Sequence, residues 1–454
     1  MKDLGKPTVK SSLEYAIKNV DFYKSHDYIL NIKNKRNKGM FDILSKLPII
    51  EGEQFKEEFY KFIPRDKENE YLVFTSGSTG TPKIIPVTRD DLYLIGNCFL
   101  DTYKNVLGNT PAIAINKLPP PPAISGLIME QVSISGNILE IDPGPGQTIL
   151  DSLRYSDEVI NSNKYKNKKI LLSVYPSAFF REFYSYDDKA KAEFKELSRR
   201  NELYLLLGGE ALDLGRAKLL YSFFKPKGII DILVSTERLF GYKFYDENEL
   251  KGEKYFDNRP FRLLKYNNYF ALLKDGKMYS LEDKKNKGLE GELIMTSKGL
   301  KGKPVMPFIN YNTKEKVKFV DVDKNYLYLE FLGRTNRTFR FGVAKLNDIL
   351  IDNVIASVVN GFNVGEGYCE IIRENGLDKL YFHFYHNNKH FDEQKLLRFI
   401  NDKLAAQQME LKYTLDNKLA VLGVSLEEKE KIPFYDSKIF KSTKIIDNRK
   451  IEHY

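Results

Sequence analysis

Between residues 71 and 234 the chain alternates short apolar runs with longer polar-faced segments. The runs are YLVF (71 to 74), AIAI (112 to 115), KILLSVY (169 to 175), LYLLL (203 to 207) and IIDILV (229 to 234). A run of this kind, with no polar alternation, has both of its faces buried, and the spacers are long enough for crossover helices. The pattern predicts an α/β protein built on a parallel sheet covered on both sides. No other feature of the sequence excludes as many architectures.

The flanks read differently. Up to about Pro64 the sequence is helical in period, with Leu13, Ile17 and Val20, then Phe55, Phe59 and Phe62, recurring on one face. After about Phe261 the texture turns to hairpins with Asn and Gly turns, as in LLKYNNYFALLKDGKMYSL, and then to YLYLEFLGR. A smaller α+β unit follows Arg334. It carries an antiparallel pair, YCEIIRE and KLYFHFYH, around NGLD, then a helix capped by Asp392, then the strand LAVLGVSL. The expected division is a large domain over 1–334 with parallel and mixed sheets, and a small mobile domain over 335–454. At 454 residues, 42% hydrophobic and 13% aromatic, the chain has the material for both cores.

The formal net charge is +9, spread along the chain, which suits anionic small molecules or acidic partners and speaks against a nucleic-acid reader. Cys98 and Cys369 are too far apart to suggest a disulfide framework or a metal cluster, so a reducing cytoplasm is expected. The opening MKDLGKPTVKSSLEY has no apolar signal core, and no stretch approaches the roughly 18 apolar residues of a membrane span. His383 and His386 would face opposite sides of a strand, which removes a metal reading of the histidines 383, 386 and 390.

The sharpest motif is TSGSTGTPK, Thr75 to Lys83, following the run YLVF. Gly77 and Gly80 let backbone approach a ligand closely, Thr75, Ser76, Ser78, Thr79 and Thr81 supply donors, and Lys83 adds a cation: a concavity for polyphosphate oxygens. The string is not a Walker A loop. It resembles the phosphate-binding signature of the AMP-forming acyl-adenylate superfamily. Further stations follow in that family's order. LLLGGEALD, with Gly208, Gly209 and Glu210, is similar to the loop that lies against adenine. DILVSTERLFG, with Ser235, Thr236 and Glu237, resembles the element in which Thr contacts the α-phosphate and Glu holds Mg²⁺. NYNTKE resembles Tyr-Arg-Thr-Gly-Asp, which puts Glu315 at the ribose position. FLGRT supplies Arg334, which the resemblance brings to the nucleotide. IFKSTKIIDNRK resembles the tail of phenylacetate-CoA ligases and puts Lys441 at the catalytic lysine.

The resemblance implies a large adenylate-forming domain with a C-terminal lid. It also implies ATP and Mg²⁺ as cofactors, a small-molecule carboxylic acid as substrate, and coenzyme A or the phosphopantetheine of an acyl or peptidyl carrier protein as acceptor. An aryl or apolar acid is favoured, with residues 118–130 and 174–183 lining its pocket; core packing is an equal reading for Phe179, Phe180 and Phe183. The sequence departs from the family at Leu233 and Val234, where an adenine-stacking Tyr and a Gly are usual. It departs again at Lys314 for Gly, Glu315 for Asp and Asn336 for Asp. These departures leave open a non-catalytic homologue that only binds nucleotide or acyl-adenylate.

Overall fold

The computed structural model describes the chain from Thr8 to Asp447, apart from residues 25–38, 66–70, 75–83, 119–123, 144–145, 163–166, 176–178, 180–181, 184, 209–211, 213, 236, 238, 252–258, 299–306, 335–337, 342–343, 363, 365–366, 375–376, 386–391, 408–413, 417–419 and 428–444. Two compact units are present. One comprises 1–173, 230–244 and 258–332; the other comprises 174–229, 245–257 and 333–454.

The strands are, in chain order, β1 (Tyr71–Phe74), β2 (Ile84–Val87), β3 (Ile113–Asn116), β4 (Leu139–Ile141), β5 (Ile170–Val174), β6 (Leu203–Gly208), β7 (Gly228–Val234), β8 (Phe240–Asp246), β9 (Phe261–Leu264), β10 (Asn268–Lys274), β11 (Lys277–Ser280), β12 (Glu290–Ser297), β13 (Tyr311–Val322) and β14 (Tyr326–Arg334). They are followed by β15 (Thr338–Phe341), β16 (Ala344–Asn347), β17 (Gly367–Glu374), β18 (Leu377–Tyr385), β19 (Ala420–Glu427) and β20 (Ile445–Asp447). The mixed α/β character expected from the apolar alternation is present.

In the first unit β3 pairs in parallel with both β4 and β5, bringing Ile113 opposite Leu139 and Ile170. Ile170, Leu171 and Leu172 have no exposed surface, and complete burial of each such side chain contributes about 1.5–3 kcal/mol. The run β11-β10-β12-β13-β14-β9-β8-β7 continues the mixed sheet. It is antiparallel from β11 through β13, between β14 and β9, and between β9 and β8. The Asp275-Gly276 turn between β10 and β11 has φ of 49° and 72°, the left-handed pair a two-residue hairpin needs.

Two expectations are corrected here. YLVF is not a strand of the parallel sheet: β1 pairs antiparallel with β2 alone, Phe74 opposite Ile84, and Leu72 is half exposed. Pairing with a strand only nine residues downstream closes a short loop, which costs less chain entropy than a distant parallel partner. The LLKYNNYF stretch is not a hairpin either, since β9 pairs with β8 and β14 while β10 pairs with β11 and β12. After β2, helix α1 (Arg89–Leu107) starts on Thr88 with a reciprocal cap. Asp91 donates its backbone N–H to Thr88 Oγ1 at 3.2 Å, and Thr88 donates its own to Asp91 Oδ2 at 3.0 Å. Such a cap is worth about 1 kcal/mol.

The second unit holds β6, helices α2 (Asp188–Arg200), α3 (Leu214–Phe224), α4 (Asp348–Phe362) and α5 (Glu393–Gln407), and a four-stranded sheet ordered β19-β18-β17-β20. As expected, β17 and β18 are antiparallel, and the Lys395 N–H donates to the Asp392 side chain ahead of α5. Ile351, Val358, Ile371, Phe382, Phe384, Leu396 and Ile400 form one buried core of helices and sheet. Phe179 and Phe183 are in van der Waals ring contact with Phe224, their centroids 4.5 and 4.7 Å from its own, and Phe194 joins them. Core packing is therefore the role these two rings have; Phe180 lies outside the described residues. Among the described residues no helix is long and apolar enough to cross a membrane.

Candidate active site

The local geometry of the site begins at Asn310. Its φ is 50°, a conformation Asn tolerates better than most residues, and its side chain is fully buried. Its amide donates to the carbonyls of Leu44 and Leu47 at 2.7 and 3.2 Å, and Thr296 donates to its oxygen at 3.2 Å. The segment around Ile50 clamps the next residues: Ile50 N–H donates to the Asn310 carbonyl, and Asn312 N–H donates to the Ile50 carbonyl. Tyr311, between them, is therefore held at the start of β13 with its ring packed against Phe308 and Phe55.

From that position the Tyr311 hydroxyl donates to Glu237 Oε1 at 2.9 Å. This contact, across 74 residues of sequence, joins the element containing Ser235 and Glu237 to the element containing Glu315. Ser235 closes its own turn, its N–H donating to the Leu239 carbonyl at 3.1 Å and its Oγ accepting from the Leu239 N–H at 3.3 Å. Glu237 is half-buried on that turn, directly after the buried strand β7. Leu233 and Val234, both half-buried, end β7.

Beyond Tyr311, β13 bulges. Asn312 sits opposite Ile294 and Lys316 opposite Glu292, so three residues of β13 face one of β12. Thr313 donates its hydroxyl to the Leu293 carbonyl at 2.8 Å and accepts from the Glu315 N–H at 3.2 Å. Lys314 is the apex, with φ 61°. The motif that NYNTKE resembles has Gly at that position, and the backbone here takes the conformation glycine favours. Lysine is retained through its head group, whose Nζ lies 2.6 Å from Glu51 and 3.5 Å from Glu292. Bulges of this kind redirect side chains next to functional sites; here Glu315 follows the apex, half-buried.

The remaining residues of the constellation are distributed as follows. Gly208 ends β6 in the second unit. Arg334 ends β14, and only its backbone is described. Thr75, Ser76, Gly77, Ser78, Thr79, Gly80 and Lys83, with Gly209, Glu210, Thr236, Asn336 and Lys441, lie outside the described residues. Residues 75–83 stand in the sequence between β1 and β2. Tyr311 was not among the sequence candidates. Its signal there is its place as the tyrosine of NYNTKE, since a partner 74 residues away leaves no periodicity.

Cys98 and Cys369 are buried free thiols, each pushed well above the ordinary range by burial, and Asn267 donates to Cys98 Sγ at 2.9 Å. Protonated, enclosed thiols make poor nucleophiles, which agrees with a core role. His383 is buried and stacks on Tyr368 at 4.5 Å.

A Mg²⁺ ion shared with phosphates takes one or two carboxylates and completes its shell with phosphate and water oxygens. Glu237, a half-buried carboxylate oriented by a neutral donor, fits that demand. Among the described residues there is no group of three or more His, Cys, Asp or Glu that could hold a metal by itself.

The chain has the fold of several solved structures that it resembles. One is 2-hydroxyisobutyryl-CoA ligase in the postadenylation state in complex with 2-HIB-AMP, matched at TM-score 0.65 and 15% identity over 97% of this chain and 88% of that one. Another is GH3.15 acyl acid amido synthetase in complex with 2,4-DB, at TM-score 0.65 and 11% identity over 99% and 93%. ATP-bound MatB from Rhodopseudomonas palustris matches at TM-score 0.52 and 14% identity over 80% and 65%. At such identities the likeness is one of fold. No protein-family model and no curated protein matches the sequence.

Proposed function

We propose that this protein activates a carboxylic acid with ATP and passes the acyl group to an acceptor. The observation that carries the reading is the Tyr311–Glu237 hydrogen bond. It joins the two elements that the family resemblance assigns to Mg²⁺ and ribose, within a fold shared by enzymes solved with ATP and acyl-adenylate.

A carboxylate and a nucleotide triphosphate repel each other, so the protein has to gather donors and cations around both. Lys83 and the hydroxyl and amide donors of 75–80 would take the phosphates, Gly208, Gly209 and Glu210 the adenine, Ser235 and Thr236 the α-phosphate, and Glu315 with Arg334 the ribose side. Glu237 would hold Mg²⁺, which supplies charge neutralisation for the leaving pyrophosphate. A substrate carboxylate oxygen attacks the α-phosphorus, the bond to pyrophosphate breaks, and an acyl-adenylate remains. Lys441 would bridge carboxylate and nucleotide as charge moves onto pyrophosphate; one such group is worth about 3–4 kcal/mol. A thiolate, of coenzyme A or a carrier-protein phosphopantetheine, then attacks the acyl carbon and AMP leaves.

The residues 335–454 act in this reading as a lid that carries Lys441. An aryl or apolar acid remains favoured, on the proline and aliphatic side chains of 118–130, since Phe179 and Phe183 are committed to the core. Two free thiols suit a cytoplasmic setting. A second acceptor class enters because the chain spans 93% of an acyl acid amido synthetase: an amine would attack the same acyl carbon and form an amide.

ATP–pyrophosphate exchange over a panel of aryl, fatty and amino acids tests the reading. Exchange with an acid supports it, and adding coenzyme A, a carrier protein or amino acids then separates thioester from amide formation. Nucleotide binding without exchange on any acid would leave the binding-only homologue instead.

A further inference from the structure

We propose that a basic cleft at the far end of β6 binds an oxyanion of the phosphate class. Arg199 near the end of α2, Tyr221 on α3, Lys225 and Lys227 in the link to β7, and Glu247 on the short helix Glu247–Lys251 line a half-open cleft of about 360 Å³. That is the small end of the size range of ligand pockets.

The charges in the cleft do not cancel. Glu247 is already committed, with Lys251 Nζ 2.9 Å from one oxygen and Lys227 Nζ 3.0 Å from the other. Arg199 and Lys225 have no carboxylate partner among the described residues. Three cations and one carboxylate line the cleft, and that carboxylate is shared by two lysines.

Lys225 is held in place at a conformational cost. Its φ is 48°, where most side chains are strained, and it stands before Pro226, which disfavours continuing the helix at that position. Its N–H donates to the Tyr221 carbonyl at 3.0 Å, and its Nζ lies 4.3 Å from the centroid of the buried Tyr221 ring. The ammonium is therefore directed by the fold and does not sample solvent freely. An arginine fork and two lysines around a small cleft match a tetrahedral dianion.

The cleft is not the candidate active site. Lys227 N–H donates to the Leu203 carbonyl at 2.8 Å, which puts it at the start of β6, whereas Gly208 ends that strand. Six extended residues separate the two ends by roughly 17–20 Å. The proposal accordingly stands whether or not the chain activates acids.

Calorimetric titration of the full chain with inorganic phosphate and with glycerol 3-phosphate, at fixed ionic strength, tests it. Saturable binding is expected that Arg199→Gln or Lys225→Gln weakens about tenfold with unchanged thermal midpoints and that Lys318→Gln in the other unit leaves unaffected; any phosphate taken up by residues 75–83 would be a separate phase untouched by the cleft variants. Tighter binding of glycerol 3-phosphate would identify a phosphomonoester as the occupant, and equal binding the free anion. Absence of saturation, displacement by chloride at matched ionic strength, or affinity unchanged in both cleft variants would overturn the proposal.

Discussion

At the scale of single residues, Tyr311 has the largest consequence for its size. Its ring is anchored by Phe55 and Phe308, so Tyr311→Phe removes the hydroxyl and leaves the packing. A hydrogen bond to a carboxylate is worth about 1.5–3 kcal/mol, which corresponds to tenfold or more in an equilibrium constant. Under the proposed assignment of Glu237, Tyr311→Phe should weaken MgATP binding about tenfold while leaving metal-free ATP binding and the thermal midpoint unchanged. Calorimetry with and without Mg²⁺ separates these, and an equal loss in both would show that the hydroxyl acts through structure alone. Asn310 and Lys314 show the same economy: each takes a left-handed backbone because several hydrogen bonds or ion pairs hold it there.

At the scale of elements, β7 carries a buried cost. Asp231 is 4% exposed, and burial pushes its carboxyl up to about 7, with the Lys243 ammonium opposing. Since this lies above the ordinary 3.8, the folded chain binds more protons than the unfolded one between the two values. Stability should therefore fall as pH rises from 3.8 toward about 7, and stay reduced above it. Asp231→Asn should flatten that slope and raise stability at pH values above the folded pKa, measured by urea denaturation across a pH series; an unchanged slope would assign the pH dependence to other groups. The strand keeps its role in either case, because it delivers Ser235 and Glu237 at its end. The bulge in β13 does the complementary work of turning the 313–315 segment out of a regular ladder.

At the scale of the whole molecule, the proposed chemistry separates into two steps that need not share every residue. The proposal gives Lys441 a role in the first alone. Lys441→Ala should abolish ATP–pyrophosphate exchange yet spare thiolysis of a supplied acyl-adenylate, followed by single-turnover release of AMP. Equal loss of both steps would remove Lys441 from that role. The cleft at Arg199 and Lys225 would add an anion-responsive site at the opposite end of β6 from Gly208.

Much of this was legible in the amino-acid order. Buried strands announce themselves through unbroken apolar runs such as ILLSV and IIDILV, because that signal is local. The Asp392 cap and the β17–β18 pair were readable for the same reason. Partners chosen across long stretches of chain were not readable: the pairing of YLVF with β2 in place of the main sheet, the packing of Phe179 and Phe183 on Phe224, the Tyr311–Glu237 bond and the cleft around Glu247. Each depends on which of several compatible surfaces meet once the core is packed, and that choice is made by burial and hydrogen-bond satisfaction over the folded chain as a whole.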